Sequence, residues 1–254
     1  MQLIYRDFYI LKNRILTYVI NYCIIFPLVT ILGFGYIQSG VFFKSPYAQA
    51  SLILMIGSFV FTTTSMCFSF ISPFIYDVEG NRFIDYQLTL LPAPLLVLEI
   101  IVFAALFALI TALPFFPLVR IIFPQLFSGL QNSWVALLLV LFFMCLCIAS
   151  YIMLAMCLIK SSFQIRQFFV RVNLPLVILG GSWLPWYMMK QYWAPLAYIV
   201  LLNPFTYITE GIRASLFGNN SSIPWYLCIL ALATFTFIFT IASCHFFKRK
   251  LDPV

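Results

Sequence analysis

Long, uninterrupted apolar runs separated by short polar connections dominate this chain. Residues 2–18 break the pattern: Leu3, Ile4, Phe8, Leu11, Ile15 and Leu16 fall at helical spacing, with Arg6, Lys12 and Arg14 largely off that stripe. This arrangement predicts an amphipathic helix over 1–18, lying in the plane of a membrane interface. The apolar runs predict spans at about 19–37, 49–72, 95–119, 134–158, 172–189 and 224–245. Most of them approach or exceed the roughly 20 residues a helix needs to cross a bilayer. Barrel strands would be shorter and would alternate apolar with polar positions. The predicted fold is an all-α integral membrane protein of about six transmembrane helices, forming one domain over residues 1–254.

Composition agrees with that class. The 254 residues are 64% hydrophobic and 8% charged, against about a quarter charged in soluble domains, and the mean hydropathy is +1.05. The net charge of +7 does not point to nucleic acid, because the basic residues flank the apolar spans. Their distribution instead predicts orientation. With the N-terminus inside, Arg6, Lys12, Arg14, Arg82, Lys160, Arg166, Arg171, Lys248, Arg249 and Lys250 fall inside, and Lys44, Arg120, Lys190 and Arg213 outside. Both termini are therefore predicted to be cytoplasmic. Trp134, Trp183, Trp186, Trp193 and Trp225 fall near predicted outer span ends, where amphipathic rings prefer to sit. The 7 Cys form no C-x-x-C pair, and one His completes no zinc site with them, so no metal is expected. The scattered charges of residues 1–18 do not read as a removable signal peptide.

No chemistry of an enzyme is legible. There is no phosphate loop, no G-x-S-x-G, no H-E-x-x-H and no carboxylate cluster inside a span. No catalytic residue is assigned, and the scarcity of ionisable groups at mid-membrane depth argues against a proton-coupled carrier. Three polar features stand out. Glu99 lies about one turn inside the third span, as a functional acid or as a carboxylate paired with Arg6 or Arg14 near the interface. In the stretch between spans two and three, Asp77, Glu79, Arg82, Phe83 and Asp85 interleave charge with apolar anchors. That reads as a helix docking on a cytoplasmic partner or as a solvated turn. The third feature is Asn203-Pro204-Phe205-Thr206-Tyr207-Ile208-Thr209-Glu210-Gly211-Ile212-Arg213. Asn203 is placed to cap a helix begun by Pro204, and Glu210 and Arg213 are spaced to pair. A polar helix at this place is expected on the membrane surface or dipping into it, as a gate or as a plain plug. Gly33, Gly35, Gly180 and Gly181 would allow close helix approach.

In this order, an interfacial N-terminal helix, about six spans, a charged stretch after span two and an N-P-F-T-Y-x-x-E-x-x-R segment resemble the permease subunit of a type-2 ABC exporter. The likeness covers essentially the whole chain. It implies a homodimer in the cytoplasmic membrane of a bacterium, seated on a separate cytoplasmic ATPase that binds ATP and Mg, with no cofactor on this chain. Asp77, Glu79, Arg82, Phe83 and Asp85 would belong to the coupling helix that touches the ATPase. Asn203, Pro204, Tyr207, Glu210 and Arg213 would belong to short re-entrant helices that close the exit before span six.

The cargo is less legible. An aromatic content of 19% suits a glycan track, but 29 of those residues are Phe, and Phe59, Phe61, Phe68 and Phe70 fit packing better. Export of a hydrophobic or amphipathic compound is the favoured expectation. Export of a polysaccharide or lipid-linked glycan, or a membrane scaffold without a substrate path, are the alternatives.

Overall fold

The computed structural model describes residues 17, 20–33, 48–79, 88–89, 91–124, 133–218 and 223–251, and every regular element among them is helical. Helix α1 (Ile20–Gly33) is a 14-residue part of the predicted first span; the rest of that span, and all of 1–18 except Thr17, lie outside the described residues. Its first turns, Ile20–Ile25, take the wider π form just before Pro27. Proline has no N–H to continue the α ladder, so the preceding carbonyls must be satisfied by other registers.

Helix α2 (Ala48–Ile71) agrees with the predicted second span, but the helix does not stop there. After a break at Ser72, α3 (Pro73–Glu79) continues it, and Leu52–Val78 forms one apolar segment of 27 residues. Asp77 and Glu79 thus sit on an extension of span two, while Arg82, Phe83 and Asp85 lie outside the described residues. Helix α4 (Ala93–Ala112) and α5 (Phe115–Ile122) together make the third apolar segment, broken at Leu113-Pro114, and extend past both predicted ends. Helix α6 (Trp134–Leu158) coincides with the predicted fourth span. Ser133 caps it, its Oγ accepting the Ala136 N–H at 3.3 Å.

Span five departs from expectation. Helix α7 runs from Ser162 to Ser182, the chain then turns by 86°, and α8 (Trp186–Tyr192) follows. The predicted span 172–189 therefore straddles a bend. Arg166 and Arg171, expected in a connection, stand on exposed turns of α7. Two more helices follow, α9 (Ala194–Val200) and α10 (Pro204–Phe217). Helix α11 (Trp225–Leu251) is longer than the predicted sixth span, because Lys248, Arg249 and Lys250 join its last turn. Cations there are favoured by the negative end of the helix dipole. Ser222, the expected cap, lies outside the described residues.

Four helices are long and apolar enough to cross a membrane among the described residues, or five if the bent pair counts as one span. The protein is thus an all-helical, multi-pass membrane protein with a smaller described count than the six spans expected. Helix α6 is its centre, packed against α11, α4, α2 and α10. The Thr240 and Ser150 hydroxyls meet at 3.2 Å, past the midpoints of both α6 and α11. At the far end Lys250 Nζ donates to the carbonyls of Ile159 (2.7 Å) and Met156 (3.2 Å), capping α6. At the near end the Ser133 N–H donates to Ser215 O of α10 at 3.1 Å. Helix α10 therefore lies at the end of the bundle opposite Lys250, about 37 Å away along the 25 residues of α6.

Candidate functional site

The bend after α7 creates a problem that α10 solves. A helix that ends inside apolar surroundings leaves its last carbonyls without partners, at several kcal/mol each. The end here is set by Gly181, whose φ of 81° and ψ of 14° lie in the left-handed region that favours glycine. Gly180 and Gly181 were expected to serve close helix approach, and Gly180 does: a Cβ on it would collide with the Cβ of Phe205. Their larger role is the bend itself.

Side chains of α10 supply the missing donors. Thr209 Oγ1 donates to Gly180 O at 2.6 Å, and Arg213 Nη2 donates to Gly181 O at 2.5 Å. Arg213 Nη1 pairs with Glu210 Oε1 at 2.8 Å. The same Glu210 oxygen accepts the backbone N–H of Trp186, the first residue of α8, at 3.0 Å. One ion pair on α10 thus holds both arms of the bend. Upstream, Asn203 Nδ2 donates to Leu176 O of α7 at 2.6 Å, while its Oδ1 accepts the Phe205 N–H at 3.1 Å as the helix cap. Pro204 is the first residue of α10, and Tyr207 packs its ring 6.0 Å from that of Phe235 on α11.

Helix α10 is not a surface helix. Glu210 is 0% and Arg213 3% exposed, and Thr206, Thr209 and Ser215 are buried as well. Of the two placements expected, on the membrane surface or dipping into it, burial excludes the first; the polar stripe faces the freed backbone of α7, which is why it can be buried. The pair is incompletely satisfied, since Glu210 Oε2 and Arg213 Nε are buried without a hydrogen-bond partner. Removing one member of such a pair strands the other charge, whereas the pair itself contributes little net stability. An arrangement of this kind holds one geometry firmly and is lost as a unit.

The five residues picked from sequence as exit-gate elements, Asn203, Pro204, Tyr207, Glu210 and Arg213, all belong to this one helix and its cap. Asp77, Glu79 and Glu99 belong to the other end of the bundle. There the ring of Phe74 of α3 lies tilted, 5.4 Å from that of Phe247 of α11, and Cys244 of α11 reaches Pro94 O of α4. Glu99 is half-buried, and the Arg6 and Arg14 expected near it lie outside the described residues. The sequence assigned no role to Thr209, to the Trp186 backbone N–H or to the Gly180 and Gly181 carbonyls; Trp186 was read only as an interfacial ring. The legible signal was the spacing of Thr206, Thr209, Glu210 and Arg213, which places all four on one face of a helix.

Among the described residues no group of three or more His, Cys, Asp or Glu is placed to hold a metal ion. Residues 7–217 match the family model described as ABC-2 type transporter. No curated protein and no solved structure matches the chain. The family match takes in both the bend and the whole of α10, and with the apolar helices around them it identifies the chain as a membrane-spanning permease of the ABC-2 type transporter family.

Proposed function

We propose that this permease is one half of a homodimeric, ATP-driven exporter, and that α10 with the bend of α7 is its outer gate. The observation that carries the reading is the Glu210–Arg213 pair, which clamps the Gly181 and Trp186 sides of an 86° bend. The clamp lies at the end of the bundle opposite Lys248, Arg249 and Lys250. That basic end is the cytoplasmic one on the positive-inside rule, so the clamp faces outward. A separate ABC ATPase would bind ATP and Mg and push on the cytoplasmic end through Asp77, Glu79, Arg82, Phe83 and Asp85. A passive scaffold has no need of a bend held by an incompletely satisfied ion pair.

The cargo is a hydrophobic or amphipathic compound of drug or lipid type. The phenylalanines that suggested a sugar track have ring partners within the bundle. Phe59 stacks on Phe115 at 4.5 Å, Phe61 and Phe68 meet Phe169, and Phe70 meets Phe103 and Phe107. The test is to co-purify the chain with its ATPase, reconstitute the pair in vesicles and screen drugs, lipids and glycans for stimulated hydrolysis. Stimulation by amphipathic compounds supports this reading; stimulation by glycans alone would replace the cargo class. No stable complex with any ABC ATPase would end the exporter reading.

A further inference from the structure

The geometry points to a buried water-binding site among the first three spans, where one water ties α1 to α2 and α4. A cavity of about 20 Å³ lies there, walled by Pro27 of α1 and the rings of Phe59 and Phe115. A water needs roughly 10–15 Å³ of such space and two to four polar partners. Thr30 of α1, Thr62 and Thr63 of α2 and Thr111 of α4 all line the cavity. Thr30, Thr63 and Thr111 are buried. Thr62 and Thr63 fall near the middle of the apolar segment Leu52–Val78, far from bulk solvent.

The hydroxyl hydrogens decide what the site takes. Thr30 Oγ1 donates to Pro27 O at 2.9 Å, Thr62 Oγ1 to Ser58 O at 2.9 Å and Thr63 Oγ1 to Phe59 O at 3.0 Å. Thr111 Oγ1 donates to Ala108 O at 2.9 Å. Each hydroxyl thus gives its one hydrogen to its own helix and keeps lone pairs that only accept. Hydrocarbon offers them no donor. The break at Leu113-Pro114 adds to the imbalance, because proline brings no N–H to the last turn of α4. Thr111 O there receives only a weak donor, Cys23 Sγ, at 3.9 Å. A water donates twice and so answers such a site. A cation of similar size would find oxygens but no carboxylate among the lining residues, and an uncompensated charge at this depth is costly.

The inference does not rest on the gate, and the cavity carries its own reporter. Met66, 1% exposed, lines it, whereas Met55, Met144 and Met153, each 0% exposed, do not. Brief X-ray radiolysis of the full-length chain in nanodiscs turns bound water into hydroxyl radicals, and mass spectrometry counts the methionine sulfoxide formed. Met66 is expected to be oxidised severalfold more than the other three. Thr63→Val/Thr111→Val keeps the shape, removes two acceptors and should abolish that excess, while Thr63→Ser/Thr111→Ser should retain it. Thr64→Val removes a buried hydroxyl of α2 that does not line the cavity, and should retain the excess too. Oxidation of Met66 no greater than that of the other three overturns the site. So does an excess that survives the double valine variant or is lost equally in Thr64→Val. Should the double variant fail to fold, Thr62→Val is expected to lower the excess, and an unchanged excess there overturns the site.

Discussion

Arg213 reaches back 32 residues to donate to the carbonyl of Gly181 at 2.5 Å. A guanidinium in the last helix before the final span thereby completes the backbone of the span before it. The bond joins the residue that sets the bend to the residue whose charge must be hidden, and Glu210 neutralises that charge on the spot.

The first consequence is energetic. Arg213→Ala leaves the Glu210 carboxylate buried and uncompensated, and should cost about 3–5 kcal/mol. Glu210→Ala should cost a similar amount by stranding the arginine. Because the two act as a unit, Glu210→Ala/Arg213→Ala should cost clearly less than the sum of the singles. Thermal unfolding of the four proteins in one detergent measures this, and additive losses would show that the pair is not coupled.

A functional prediction follows from the same contact. On the proposed reading of α10 as a gate, both single variants should impair transport while the proposed dimer still assembles and still binds the proposed ATPase. Vesicle efflux alongside size-exclusion profiles of the complex separates the two. Full transport in both variants would reduce α10 to a plug.

The bend itself can be tested at Gly181. An alanine there must adopt a left-handed conformation, at about 1–2 kcal/mol. Its Cβ would also stand 3.0 Å from Thr209 Oγ1. Gly181→Ala is expected to lower the melting temperature by several degrees and to weaken the Thr209 and Arg213 contacts. An unchanged melting temperature would mean that the bend does not depend on this backbone conformation.

At the opposite end the charges after span two should act on coupling rather than on folding. Reversal of Glu79 and Arg82 is expected to reduce stimulation of the partner ATPase while the chain inserts normally. Hydrolysis by the reconstituted complex reads this out. Unaltered stimulation would remove the docking role.

Lys250 offers a purely structural contrast. Its ammonium caps α6 through Met156 O and Ile159 O, so Lys250→Met should cost about 1 kcal/mol and leave the Glu210–Arg213 pair untouched. A transport defect without loss of stability would give this residue a function beyond capping.

The amino-acid order by itself determined the class, the family resemblance and most span positions. Backbone groups in lipid must be satisfied within a helix, and bilayer thickness sets its length, so a local apolar run is enough to reveal a span. The run 134–158 shows this at its clearest, matching α6 at both ends. The Asn203–Arg213 segment was legible as a capped helix with a spaced ion pair for the same reason, since both features are local. Tertiary structure decided where span five ends and where α10 lies. Gly180-Gly181 and Pro185 permit a break there, but apolar residues continue on both sides, so local sequence does not fix an 86° turn. The turn needs partners for the carbonyls it frees, and those come from Thr209 and Arg213, about 30 residues downstream. Burial of the polar helix and bending of the apolar one are thus a single event. Each supplies hydrogen bonds that the other would otherwise lack in a membrane, and neither can be read from its own stretch of sequence.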